Sequence, residues 1–245
     1  MKRYAWLWVI FLLAACDEPK KSYDRSLAEL YREAHKHFVD KEYRTAATAF
    51  EEVERQHPYS YWAIKSQLMS AFCYYMVREY DLAQRTLEVF IQYHPTHQDV
   101  GYAYYLKGMC LFAQIVSPSR DSRPARQAYE AFLELSHRFP GTSYAKDAVA
   151  KAKELARLLA SHEIGVGRFY EEMGNFLAAL ERFRTVLAAY PETPQAKEAM
   201  YRAIECYVSL GLLDEAQKMR ASLQKKDPAS PWLKKATVLL LAHAS

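Results

Sequence analysis

The chain has 245 residues, a formal net charge of +4 and only 7 glycines. No stretch alternates apolar and polar residues over a strand's length, and no hairpin dipeptide joins two β-branched runs, so a β-rich fold is excluded and an all-α one remains. Lys and Arg are interleaved with Glu and Asp, as on solvated helix faces, and this excludes a nucleic-acid-binding surface.

The chain opens with Lys2 and Arg3 ahead of an apolar run from Tyr4 to Ala15. That run is too short to cross a hydrocarbon layer of ~30 Å as a helix. It ends in Leu13-Ala14-Ala15-Cys16, which resembles a bacterial lipobox. The resemblance implies that residues 1–15 are a cleaved signal peptide and that Cys16 becomes the lipidated first residue. An ordinary signal peptide with an incidental cysteine is the alternative. Several acyl chains give stable anchoring where one is marginal, so the protein is expected to sit on a membrane rather than across it. Residues 16–25 form a short polar tether.

A turn then recurs five times, at Pro58, Pro95, Pro140, Pro191 and Pro228, with intervals of 37, 45, 51 and 37 residues. Proline cannot continue the preceding helix, and the Ser or Thr two residues on (Ser60, Thr142, Thr193, Ser230) can accept the backbone N–H groups that open the next. Eight residues after each proline stands a small residue: Ser66, Ala103, Ala148, Ala199 and Ala236. A stop–start unit at this period marks a stacked helical repeat.

Taken in order, the first helix pair runs from about Ser26 to Gln56 and breaks near Asp40-Lys41-Glu42. Tyr43, Ala46, Phe50 and Val53 mark its second helix, and Tyr80, Ala83, Leu87 and Phe90 repeat the pattern. These positions look like the tetratricopeptide pattern without its tryptophan. The third unit carries extra polar residues from Ser117 to Pro124 and continues with Ala128, Phe132 and Leu135. The fourth is longer, and no proline interrupts Tyr144 to Glu172, so a single long helix is expected there, with Gly165 and Gly167 its weak points. Gly174 and Gly211 are placed to supply the left-handed residue that ends a helix. Trp232 to Ala242 is expected to cap the array. The fold expected is a right-handed α/α superhelix of five tetratricopeptide-like helix pairs, residues 26–135 holding repeats 1–3 and residues 136–245 holding repeats 4–5 and the capping helix.

Cys73, Cys110 and Cys206 each lie fifteen residues after a repeat proline (73 − 58, 110 − 95, 206 − 191). An odd number argues against a disulfide framework, and buried thiols in equivalent packing sites are expected instead. Enzyme chemistry finds no support. His35 and His37 point to different faces of one helix. His57 and His94 are turn residues, and Glu51-Glu52 and Glu171-Glu172 read as adjacent carboxylates on exposed faces. There is no HExxH, GxSxG or glycine-rich phosphate loop, so no catalysis, metal or cofactor is expected.

In the tetratricopeptide pattern the first helix of each pair lines a groove. Its groove-facing positions give Ala28, Tyr31, His35 and Phe38, then Lys65, Leu68, Phe72 and Tyr75, then Tyr102, Tyr105, Met109 and Phe112. This is an aromatic stripe suited to an apolar, extended peptide. The same spacing also fits a core stripe one residue out of register. Units four and five give Ser161, Ile164, Arg168, Glu171, then Glu198, Tyr201, Glu205 and Val208, which is a charged stripe suited to a folded partner.

Lipobox, tether and five divergent repeats together resemble the BamD (ComL/YfiO) family of β-barrel assembly lipoproteins. The most specific stretches are Phe90-Ile-Gln-Tyr-His-Pro-Thr-His97, Tyr102 to Gly108, and Arg120 to Arg126 running into Ala128 and Phe132. The resemblance implies a non-enzymatic outer-membrane scaffold. Its C-terminal units would bind the periplasmic domains of a BamA-type barrel protein, which makes Arg168, Glu171, Glu198 and Glu205 candidate docking residues. Its N-terminal units would receive unfolded outer-membrane substrates ending in an aromatic residue, which makes Tyr31, Phe38, Phe72, Tyr75, Tyr102, Tyr105 and Phe112 candidate groove residues. Accessory Bam lipoproteins are further partners in the family. The loop at Ser117 is shorter than in the best-known members. Asp17 after Cys16 favours inner-membrane retention in enteric bacteria, which keeps open another tetratricopeptide envelope adaptor, such as a pilus-assembly pilotin or a cell-envelope coordinator.

Overall fold

The computed structural model describes residues 25–115 and 121–243. The signal peptide, Cys16, the tether up to residue 24, residues 116–120, which include the start of the Ser117–Pro124 loop, and residues 244–245 lie outside the described residues. All regular structure among the described residues is helical. The first pair is α1 (Leu27–Val39) and α2 (Tyr43–Gln56), followed by α3 (Tyr61–Met76) with α4 (Tyr80–Tyr93) and α5 (Val100–Ala113) with α6 (Arg123–Arg138). Then come α7 (Ser143–Glu172) with α8 (Phe176–Ala189), α9 (Gln195–Ser209) with α10 (Leu213–Lys226), and a last helix, α11 (Pro231–Ala242). The helices fall into two compact units, one ending at Val77 and the other beginning at Arg78.

The helix starts follow local chemistry. Ser26 and Glu29 form a reciprocal capping box on α1. Ser60 Oγ accepts from the Ala63 N–H at 3.0 Å and Thr142 Oγ1 from Ala145 at 3.1 Å, as the turn pattern predicts. Three turns depart from it. After Pro95 the helix begins later, and His97 Nδ1 takes the Asp99 N–H at 3.2 Å. Thr193 does not cap α9: its hydroxyl donates back to the Tyr190 carbonyl at 2.8 Å, and Pro194 already has helical dihedrals. Ser230 is buried and makes no capping bond, because Pro231 at the first helical position sets the start of α11 instead.

The repeat pattern translates directly into burial. Twelve residues before each turn proline lies an alanine (Ala46, Ala83, Ala128, Ala179, Ala216), and five before it a large apolar residue (Val53, Phe90, Leu135, Val186, Leu223); all ten are 0% exposed. The five small residues eight positions after the prolines are equally buried. In α2, α6, α8 and α10 the alanines let the paired helices approach, and the larger residues fill the seam. In two pairs the approach is closer still. A Cβ built on Gly108 would stand 2.7 Å from the Phe132 ring, and one on Gly167 would stand 2.5 Å from the Phe183 ring. Gly167 is thus a packing residue, and α7 runs unbroken through it for 30 residues.

Gly174 and Gly211 end α7 and α9 with φ of +75° and +74°. Lys41 and Arg78 take the same left-handed position in the first two pairs, with φ of 61° and 63°. Cys73, Cys110 and Cys206 are buried and unpaired, and burial pushes each thiol up to about 12.

Candidate functional site

The seven aromatic residues expected to line a groove are all half-buried. Four stand on α1 and α3 of the first unit. Tyr31 lies 4.4 Å from the Trp62 ring and 5.7 Å from Phe50, and Phe38 lies 6.1 Å from Phe72. Tyr31 thus rests on the buried Phe50 ring, while Phe38 and Phe72, both half-buried, pack on each other. Tyr31 and Trp62 line a cavity of about 530 Å³ with Leu27, Ala28, Arg32 and His35. Lys65 stands 5.5 Å above the Trp62 ring. An apolar slot rimmed by Arg32, His35 and Lys65 suits an aromatic side chain carrying a negative charge beside it.

The other three aromatics stand on α5 in the second unit. Tyr102 and Tyr105 pack on Tyr144, at 5.5 and 5.3 Å, and the Tyr105 hydroxyl donates to Asp147 at 2.7 Å. Phe112 packs on Phe132 at 6.2 Å, with Lys151 above its open face at 5.2 Å. It shares a cavity of about 390 Å³ with Leu155, Leu158 and Ser161. Two positions expected to face the groove do not: Leu68 is 7% exposed, and Ile164, 5% exposed, packs into the core of the second unit.

The charged residues converge. Glu171, Glu198 and Glu205 are all half-buried and all face Arg202, at 3.3, 3.9 and 3.0 Å. Glu171 is therefore not on an exposed face beside Glu172. Burial pushes its carboxyl up, Arg202 opposes that shift, and Glu205 adds to it. The Tyr201 hydroxyl donates to Glu205 at 2.6 Å, and burial followed by this bond pushes the phenol up to about 12. Arg168 is exposed one turn before Glu171. The arrangement is a polar cluster of three carboxylates around one guanidinium, at the end of α7 and along α9.

Sequence reasoning missed several participants. Trp62 and Tyr144 lie in the first turn of their helices, Trp62 one turn before Lys65 and Tyr144 well before Ser161, the first positions expected to face the groove on α3 and α7. Their place right after a turn was the available signal. Arg202 was invisible because it lies between two counted positions. Glu163 was also missed. It is 5% exposed on α7 and pairs with Arg126 of α6 at 3.5 Å and Arg182 of α8 at 3.4 Å. Among the described residues no group of three or more His, Cys, Asp or Glu is placed to hold a metal ion, and no helix is long and apolar enough to cross a membrane.

Residues 23–223 match the YfiO family, described as outer membrane lipoprotein. The chain belongs to that family. It is 38% identical over 187 residues to the outer membrane protein assembly factor BamD of Caulobacter vibrioides, covering 76% of this chain and 61% of the relative. It is 34% identical to the BamD of Rickettsia prowazekii over 230 residues, 93% of this chain and 92% of that one. Among solved structures, a TPR repeats protein from Bacteroides fragilis superposes with a TM-score of 0.52 at 12% identity, over 90% of this chain and all of that one. That likeness speaks to the fold, an all-α array of tetratricopeptide-like helix pairs.

Proposed function

We propose that this protein is a non-enzymatic scaffold of outer-membrane β-barrel assembly, held at the periplasmic face by lipid on Cys16. The observation that carries the reading is the half-buried aromatic residues on the first helices of repeats 1–3, in a family whose relatives are named assembly factors. Half-buried rings packed on other rings, as Tyr31 is on Phe50 and Phe112 on Phe132, are rigid, so they bind an apolar peptide with little loss of side-chain freedom. Residues 26–135 would receive unfolded barrel proteins through Tyr31, Phe38, Phe72, Tyr75, Tyr102, Tyr105 and Phe112. The cationic rim of the Tyr31–Trp62 cavity suits a chain that ends in an aromatic residue, whose carboxylate lies next to the ring.

Residues 136–245 would dock the periplasmic domains of a BamA-type barrel protein. Arg168, exposed, and the acidic cluster around Arg202 supply charge for that contact. Accessory lipoproteins would join the same complex. The test is capture through a C-terminal tag from solubilised envelopes, followed by identification of what is recovered. A barrel protein of the BamA type is expected, and its absence would overturn the reading. Separately, Tyr31→Ala with Trp62→Ala should weaken photocrosslinking to a peptide ending in Phe while leaving the docked barrel protein in place.

A further inference from the structure

The first half of α7 has no second helix to match it. The helix has 30 residues and rises about 45 Å, whereas α8 has 14 and rises about 21 Å. Running back from the turn at Gly174, α8 ends level with the middle of α7, and the chain turns away through Tyr190–Thr193. In the other pairs the two helices are of similar length. Ala148, Ala152 and Leu155 pack the early part of α7 into the core shared with α6.

A cavity of about 680 Å³ remains beside this stretch. Tyr129 and Leu133 of α6 form one wall, Ala152 and Ala156 line the α7 side, and Ala189 to Thr193 close one end. Val149 stands at its edge, 39% exposed. The face that carries Val149 is basic. Lys146, Val149, Lys153 and Arg157 follow at intervals of three, four and four residues (149 − 146, 153 − 149, 157 − 153), which places them along one side of the helix. All three cations are exposed and none makes an ion pair among the described residues, whereas neighbouring Lys151 pairs with Asp147 and Arg126 with Glu163. Glu192 is the one acidic residue lining the cavity.

We propose that this cavity docks an acidic amphipathic helix of another polypeptide, which takes the place of a second helix along residues 143–157 of α7. Three features select that occupant. The unmatched stretch is as long as one repeat helix. The apolar hollow admits single large side chains, which a flat bilayer surface cannot insert. The row of unpaired cations fits carboxylates at helical spacing, one turn apart on the incoming segment.

The probe is a fluorescein-labelled 16-residue helical peptide with Leu at heptad spacing flanked by Glu, titrated against the full protein by fluorescence anisotropy. Saturable binding to wild type is expected, weakened at least tenfold by K153E/R157E. A peptide with Lys in place of each Glu should bind K153E/R157E better than wild type. V149R, which fills the hollow, should weaken both complexes, with circular dichroism confirming that each variant is folded. Three results would overturn the proposal: no saturable binding to wild type, equal binding of the acidic peptide to K153E/R157E, or loss of peptide binding when the protein is reconstituted in anionic but not neutral phospholipid vesicles. The last would make this face a membrane contact.

Discussion

Removing Arg202 tests the electrostatic reading of the α7–α9 cluster. Its guanidinium makes hydrogen bonds to Glu205 at 3.0 Å and Glu171 at 3.3 Å, and its ring-facing side lies 5.9 Å from Tyr201. Its side chain is 24% exposed, and those of Glu171, Glu198 and Glu205 are 16%, 24% and 24% exposed. Arg202→Met keeps most of the aliphatic packing and deletes the charge. Hydrogen bonds to charged groups contribute about 1.5–3 kcal/mol each, and part of that is recovered as water enters a site this open, so a loss of about 2–3 kcal/mol at pH 7.5 is expected. For a domain of this size that lowers the melting midpoint by roughly 4–12 °C. The deficit should depend on pH with a definite sign. Glu171 has its carboxyl raised in the folded state, so its contribution is most favourable at low pH and is lost as pH rises through the folded value. Without Arg202 that carboxyl rises further. The gap between variant and wild type should therefore narrow as pH falls from 7.5 to 5. Melts followed at 222 nm across that range check it. A variant that melts within 1 °C of wild type at pH 7.5, or whose deficit is the same at pH 5, would refute the reasoning.

Gly167→Ala should destabilise by about 1–3 kcal/mol, read as a lower urea midpoint, because the added methyl meets the buried Phe183 ring. Gly174→Ala should lower the melting midpoint by the equivalent of about 1 kcal/mol, and Lys41→Gly should leave it unchanged or raise it, because both positions hold φ > 0. Thiol titration with a disulfide reagent at pH 8 should find Cys73, Cys110 and Cys206 unreactive until denaturant is added, since burial holds all three protonated. Tyr105→Phe should weaken the contact between α5 and α7 by about 0.5–1.5 kcal/mol, seen as faster amide exchange at the start of α7.

The periodic features were legible because each follows from steric rules that act within one turn. Proline ends a helix, glycine takes a left-handed residue, and a small residue at fixed distance lets a neighbour approach. Hence the helix pairs, the buried Ala46–Ala83–Ala128–Ala179–Ala216 series and the long α7 could be read in advance. The caps were legible where the hydroxyl-bearing residue itself precedes the helix: Ser60 and Thr142 serve as expected, Thr142 while also donating to the Phe139 carbonyl at 3.0 Å, whereas after Thr193 the helical dihedrals already begin at Pro194. The geometry of the candidate site was half legible. Spacing along one helix anticipated the half-buried places of Tyr31 and Phe112, but Trp62, Tyr144, Arg202 and Glu163 owe theirs to contacts between helices, which spacing along one helix does not show. Glu171 shows the same limit, since its burial is imposed by α9.

An unbroken α7 also has a mechanical meaning. Val149 and Glu171 lie 22 residues apart on it (171 − 149), about 33 Å along the axis, with no proline or left-handed residue between them. A rod of that length has no joint at which to absorb a tilt. Glu163, tied to Arg126 of α6 and Arg182 of α8, pins that rod to both neighbouring helices between its two ends, so the Val149 face and the Glu171 cluster are held at a fixed spacing on one element.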